Sequence, residues 1–318
     1  MTLAESDRPQ GGPARSTAAA TVLMVRPSRF AHNAETAATN AFQRPDARDP
    51  DTARRDALAE FERLVGVVRA AAVRVAVVDG APDAPDAVFP NNWVSFHRDG
   101  TTVLYPMLAP SRRREVRPDL VAQLQADGFV EVRRTLDLRH HEAADGFLEG
   151  TGSLVLDRRD RVAYACRSAR TSPRVLAEWA AELGYRTHVF TAVDRTGAAI
   201  YHTNVMMGIG SGFVVVCAEA VSEPRDRSRL LAALRATGRA VVEISLDQMH
   251  CFAGNLIELR AADGAPVIVM SAAAWRSFDA AQRGQLEACG GSIVAPDLAT
   301  IEALGGGSAR CMIAEIAW

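Results

Sequence analysis

One short pattern recurs five times along this chain: a turn-like polar lead-in followed at once by an apolar strand. The copies are "FPNNWVSFH" from Phe89, "FLEGTGSLVLD" from Phe147, "YHTNVMMGIG" from Tyr201, "FAGNLIELR" from Phe252 and "ARCMIAEIAW" from Ala309. They stand roughly 50–60 residues apart. A fixed period of that length points to one supersecondary unit used repeatedly, each copy covering what its neighbour leaves exposed.

The spacers between copies share a grammar as well. In the third unit "RVAYACRS" reads as a strand and "RTHVFTAV" as another, with a helix between them. That helix, "SPRVLAEWAAELGY", offers Ser172 as cap, Pro173 at its first position and Gly184 at its end. Leu176, Trp179, Ala180 and Leu183 fall on one face. Further helices are expected near 118–128, 224–238 and 279–290, and a long one near 53–72 follows the opening strand "TVLMVRP". Each unit is then strand, strand, helix, strand. The final strand, with Cys311 one residue inside it, should lie beside the first and close a ring, which hides the strand edges that otherwise invite aggregation.

A closed ring brings the lead-ins together at one end of its axis. Asn91, Asn92, Glu149, His202, Asn204, Asn255 and Cys311 should therefore converge, and among them are a nucleophile, a base and a carboxylate. The glycines before Cys311, "GGGSARC", permit close backbone approach. Blander readings apply elsewhere. Cys217 in "FVVVC" reads as core, and Cys166 and Cys289 as structural. His250 and Cys251, adjacent on an expected strand, would face opposite ways. "HHEAAD" at 140–145 has no further His or Cys at ligand spacing and reads as a solvated loop, so no metal site is expected.

The chain has 318 residues and carries 36 Lys and Arg against 38 Asp and Glu, a net charge of −2 that gives no bulk attraction for nucleic acid or membranes. No apolar run approaches the ~20 residues of a membrane span. Residues 1–20 are expected to form a flexible tail without the features of a secretory signal, and 21–318 a single domain. Five scattered cysteines fit reduced thiols in a cytoplasmic protein.

Taken together, "VLMVRPSRFAHNAETAATNAFQ", "FPNNW", "LEGTGS", "YHTNVMM" and "GGGSARCM" resemble the pentein superfamily of guanidine-modifying enzymes. The chain is most similar there to bacterial citrulline-utilization hydrolases, with arginine deiminases and dimethylarginine dimethylaminohydrolases as relatives. The resemblance implies an α/β propeller of five ββαβ units with pseudo-fivefold symmetry. It implies Cys311 as nucleophile, His202 as general acid and base, Glu149 as their partner, and no cofactor. It also exposes departures: the deiminases' "LEGGD" is "LEGTG" here, and the aspartates expected at Asn92 and Asn204 are both amides.

An amide suits a neutral ureido group better than a guanidinium, because it can donate and accept. The expected reaction is hydrolysis of citrulline to ornithine, carbon dioxide and ammonia. Alternatives are a deiminase, a dimethylarginine hydrolase or an amidinotransferase acting on a guanidino compound, and a non-catalytic pentein binding protein. The partner is a small ureido or guanidino amino acid, in a protein that could self-associate. Its α-carboxylate would fall to Arg26, Arg29 or Arg310 on charge alone.

Overall fold

The computed structural model describes residues 17–45 and 48–317. Its strands are β1 (Thr21–Arg26), β2 (Arg74–Asp79), β3 (Val94–Phe96), β4 (Thr101–Leu104), β5 (Arg134–Asp137), β6 (Val155–Asp157), β7 (Val162–Cys166) and β8 (Arg186–Phe190). They continue as β9 (Met207–Ile209), β10 (Phe213–Val216), β11 (Ala240–Glu243), β12 (Ile257–Arg260), β13 (Pro266–Val269), β14 (Ser292–Val294) and β15 (Ala314–Ala317). They form five three-stranded sheets, ordered β15-β1-β2, β3-β4-β5, β6-β7-β8, β9-β10-β11 and β12-β13-β14. In every sheet the inner pair is antiparallel and the outer pair parallel. A parallel pair needs a crossover, and a helix supplies it each time. The expected ββαβ unit is the observed one.

The ring closes through β1. It pairs in parallel with β2 and antiparallel with β15, where Leu23 faces Ala314. The short inner strands pack on one another around the axis, β15 against β3, β6 against β9 and β9 against β12. The middle strands β4 and β10 are buried throughout, while the outer strands β5 and β11 are largely open.

Crossover helices α1 (Pro50–Ala70), α2 (Pro118–Ala126), α3 (Pro173–Leu183), α4 (Pro224–Arg235) and α5 (Ala280–Ala288) cover the rim. Helix α3 buries the four expected residues together with Val175, and Gly184 ends it at φ 65°. Helix α1 starts before residue 53 because Asp49 accepts the Thr52 N–H and Pro50 occupies the first position.

Three expectations need correction. Residues 17–20, the described part of the expected tail, are packed: Ala18 and Ala19 are buried and Ala19 bridges to Leu259. Residues 1–16 lie outside the described set. His250 ends a short helix, Leu246–His250, instead of lying on a strand, and Cys251 follows it. Cys311 stands in a turn ahead of β15, where its N–H donates to the Ser308 carbonyl.

Candidate active site

The polar lead-ins are tight turns, not strand residues. Asn91 and Asn92 lie in the turn Pro90–Asn92, Glu149 precedes Gly150–Ser153, and His202 precedes Thr203–Val205, which holds Asn204. A turn ahead of an inner strand aims its side chains at the axis. Cys311, His202 and Asn92 accordingly line one small cavity with Asp86, Arg112, Arg170 and Tyr201.

Two amides converge on the thiol. Asn255 Nδ2 donates to Cys311 Sγ at 3.1 Å, and Asn204 Nδ2 lies 3.4 Å from it. The Asn255 amide is oriented by its surroundings, since Oδ1 accepts the Arg310 N–H at 3.0 Å. Asn204 therefore addresses the sulfur instead of standing off as a substrate clamp.

His202 Nε2 lies 2.9 Å from Glu149 Oε2. A carboxylate only accepts, so Nε2 carries the proton and Nδ1 keeps its lone pair. Burial holds His202 well below the ordinary imidazole value, to about 4, against the pull of Glu149, so the ring is neutral at rest. Gly152 makes room for it: a Cβ there would fall 2.6 Å from His202 Nδ1.

Burial also opposes the charge on Glu149, but Arg170, His202 and Arg112 hold its carboxyl well below the usual range. Arg170 Nη1 approaches Glu149 at 3.3 Å and Arg112 Nη1 at 3.5 Å. Glu149 is thus committed to protein partners, and its charge does not stand free for a cation.

Residues unremarked in the sequence reading complete the site. Asp86 is buried; its Oδ2 accepts from Asn33 at 2.7 Å, while Oδ1 has no partner among the described residues. Burial pushes its pKa up. Arg112 forks onto Glu115 with both contacts at 2.9 Å, and its Nη1 donates to Asn92 Oδ1 at 2.9 Å. That contact fixes the Asn92 amide, whose Nδ2 is buried and unpartnered among the described residues. Arg170 is anchored by the Thr36 carbonyl and Thr39 and lies over the Tyr201 ring at 5.0 Å. The glycine run packs against this same wall. Gly306 sits at φ 62°, and a Cβ on it would meet Asn40 Nδ2 at 2.5 Å.

The structure leaves other expected residues outside. Asn91 is buried, but it is not among the cavity's lining residues. Arg310 points away along the axis, donating to the Ile313 carbonyl at 3.0 Å and pairing with Glu315 at 3.3 Å. The backbone trajectory decides this, because adjacent residues of the turn face opposite ends. Arg26 pairs with Glu62 and Asp79 on the surface, and Arg29 is exposed. The 140–145 segment forms a 3₁₀ turn, Arg139–Ala144, with His141 buried instead of solvated. Cys166 and Cys217 are buried core thiols, and burial pushes their pKa values up to about 11 and about 12.

Residues 26–318 match the family model described as N,N dimethylarginine dimethylhydrolase, eukaryotic. The chain belongs to this family. It is therefore a pentein hydrolase of carbon–nitrogen bonds, in a superfamily acting on arginine-type guanidino substrates. Solved structures agree in fold. The N-terminal domain of ArgZ, an arginine dihydrolase from the ornithine-ammonia cycle in Cyanobacteria, superposes with a TM-score of 0.72 at 18% identity, over 93% of this chain and 98% of that one. AgrE bound to L-arginine matches at 0.73 and 17% identity, over 93% of this chain but 40% of its own. The dimethylarginine hydrolase from Pseudomonas aeruginosa, complexed with citrulline, matches at 0.64 and 16% identity, over 92% and 98%. No curated protein sequence matches. Among the described residues, no helix is long and apolar enough to cross a membrane.

Proposed function

We propose that this protein hydrolyses the ureido group of citrulline, giving ornithine, carbon dioxide and ammonia. The observation that carries the reading is the Asn92 amide. Arg112, which can only donate, holds Asn92 Oδ1, so the side chain has a donor left over in the wall of the cavity that the Asp86 acceptor also lines. A ureido group offers an oxygen for the first and N–H groups for the second. A guanidinium has donors alone and leaves the Asn92 Nδ2 unsatisfied.

The chemistry follows from the neutral histidine. Cys311 passes its proton to His202 Nδ1, and the sulfur, held by Asn204 and Asn255, attacks the ureido carbon. Glu149 steadies the imidazolium. His202 then returns the proton to the departing side-chain nitrogen, which leaves as ornithine with the carbamoyl group on sulfur. Water, deprotonated by His202, adds to that carbonyl and expels the thiolate, and the carbamate decomposes to carbon dioxide and ammonia.

A second reading has arginine as a first substrate, deiminated to citrulline before the same site continues. Asp86 favours it: with Glu115 and Glu149 it makes three buried carboxylates against the two guanidiniums of Arg112 and Arg170. The fit of a cation then depends on protons, since burial also lifts Glu115 to about 7 despite Arg112.

We take residues 21–318, with residues 17–20 packed onto them, as one catalytic domain. Its five unpaired thiols fit a reducing, cytoplasmic setting. Intact mass spectrometry tests the covalent step. Wild-type protein quenched during citrulline turnover should carry a carbamoyl increment on Cys311, and Cys311→Ser should show neither increment nor turnover, a loss of at least ~10⁴-fold. Turnover retained in that variant would remove the mechanism.

A further inference from the structure

Across the ring's outer face, the turn Arg139–Ala144 meets helix α3. There the side chains of His140, His141 and Glu178 bring one ligand atom each to within 4.8 Å of one another. We propose that this is a binding site for a divalent first-row transition cation, zinc(II) being the probe, separate from the catalytic cavity and independent of the substrate assignment. Two imidazoles and one carboxylate form a donor set that such ions accept, with water completing the coordination.

The geometry is built for it in three respects. His140 Nδ1 lies 3.1 Å from the Asp137 carbonyl, an acceptor only, so Nδ1 carries the proton and Nε2 presents its lone pair. An outer partner of this kind on the far nitrogen orients a metal-binding imidazole. His141 Nε2 lies 2.7 Å from Glu178 Oε2 and so carries a proton at rest that a cation would displace, and His140 Nε2 lies 4.0 Å from Oε1, so the carboxylate spans both rings. The rings themselves are 4.1 Å apart, with their planes inclined by 36°. His141 is buried, and His140 is open enough to admit a hydrated ion.

The sequence hid this because the third ligand comes from another element. Glu178 follows 37 residues after His141, on the helix packed over the turn. A bound cation would fasten the turn to α3 just ahead of the segment that presents Glu149.

The test uses the full chain. Titration with zinc chloride by calorimetry should show about one equivalent bound, and His140→Ala and Glu178→Gln should each weaken it by roughly tenfold or more. Cobalt(II) in place of zinc should give ligand-field bands without thiolate charge transfer. Zinc should raise the Tm of the wild type and not that of His140→Ala. Absence of zinc uptake would overturn the proposal. So would uptake that survives both substitutions, which places the metal elsewhere, or a sulfur-to-cobalt band, which places it on a thiol such as Cys311 or Cys251.

Discussion

The two ends of the propeller axis hold similar numbers of buried charges and use them differently. At the far end of the inner strands, a cavity is lined by Asp157, Glu258 and Glu315 and by Arg158, Arg239 and Arg310. Acids and bases balance there. Arg239 forks onto Asp157 at 2.6 and 3.0 Å, and Glu315 joins Arg158 at 2.9 Å to Arg310 at 3.3 Å. Unpartnered buried polar atoms occur at both ends among the described residues, Arg239 Nε and Glu258 Oε1 at this one and Asn92 Nδ2 and Asp86 Oδ1 at the other. What sets the thiol end apart is that its carboxylates exceed its guanidiniums by one around a thiol and an imidazole. Balanced charges hold a fold together, whereas an unbalanced set gathered around a nucleophile and a base marks a reacting site.

If that division is right, substitutions at the two ends should separate activity from stability. The largest effect falls at the thiol end. His202→Ala should cut turnover by ~10²–10⁴-fold and let the carbamoyl adduct accumulate on Cys311, because one residue acts in both half-reactions. Its protonation gives a second readout. Between pH 6.5 and about 4 the unfolded chain binds a proton here that the folded chain refuses, so this group's contribution to stability falls as pH falls through the window. NMR should find the imidazole neutral down to about pH 4. A ring that titrates at its ordinary value would end the neutral-base mechanism.

The far end should answer in stability. Arg239→Met leaves Asp157 buried without its fork and should cost ~3–5 kcal/mol in denaturant unfolding, while kcat per folded molecule stays within about twofold. A large fall in kcat would erase the distinction between the ends.

Much of this was legible beforehand. The period gave the five units and their closure, since the polar lead-ins and capped helices are local signals. The convergence of Cys311, His202 and Glu149 was readable for the same reason, each standing at a lead-in. Asp86 was not: it lies six residues before Asn92, in a segment with no periodic signal. Arg112 stands in "SRRRE", where three consecutive arginines look alike until the fold buries the first and leaves Arg114 exposed. Arg310 was misplaced because charge alone cannot say which way a turn residue points. Asn204 changes one expectation as well: an aspartate there would sit beside the sulfur and oppose the thiolate, so altering Asn92 and Asn204 together would confound charge preference with loss of the nucleophile.

The smallest effect is therefore sought with one substitution. Asn92→Asp removes the spare donor and adds a negative charge facing the substrate, and should move the ratio of kcat/KM for arginine over citrulline upward by roughly tenfold, about 1.4 kcal/mol. An unchanged ratio would mean that Asn92 does not read the substrate.

Product analysis on purified wild-type protein, given citrulline or arginine separately, tests the central claim most directly. Citrulline should yield ornithine and ammonia in equal amounts, with no requirement for added arginine. Citrulline left intact, together with arginine converted to citrulline that accumulates without further change, would contradict the account and leave a deiminase.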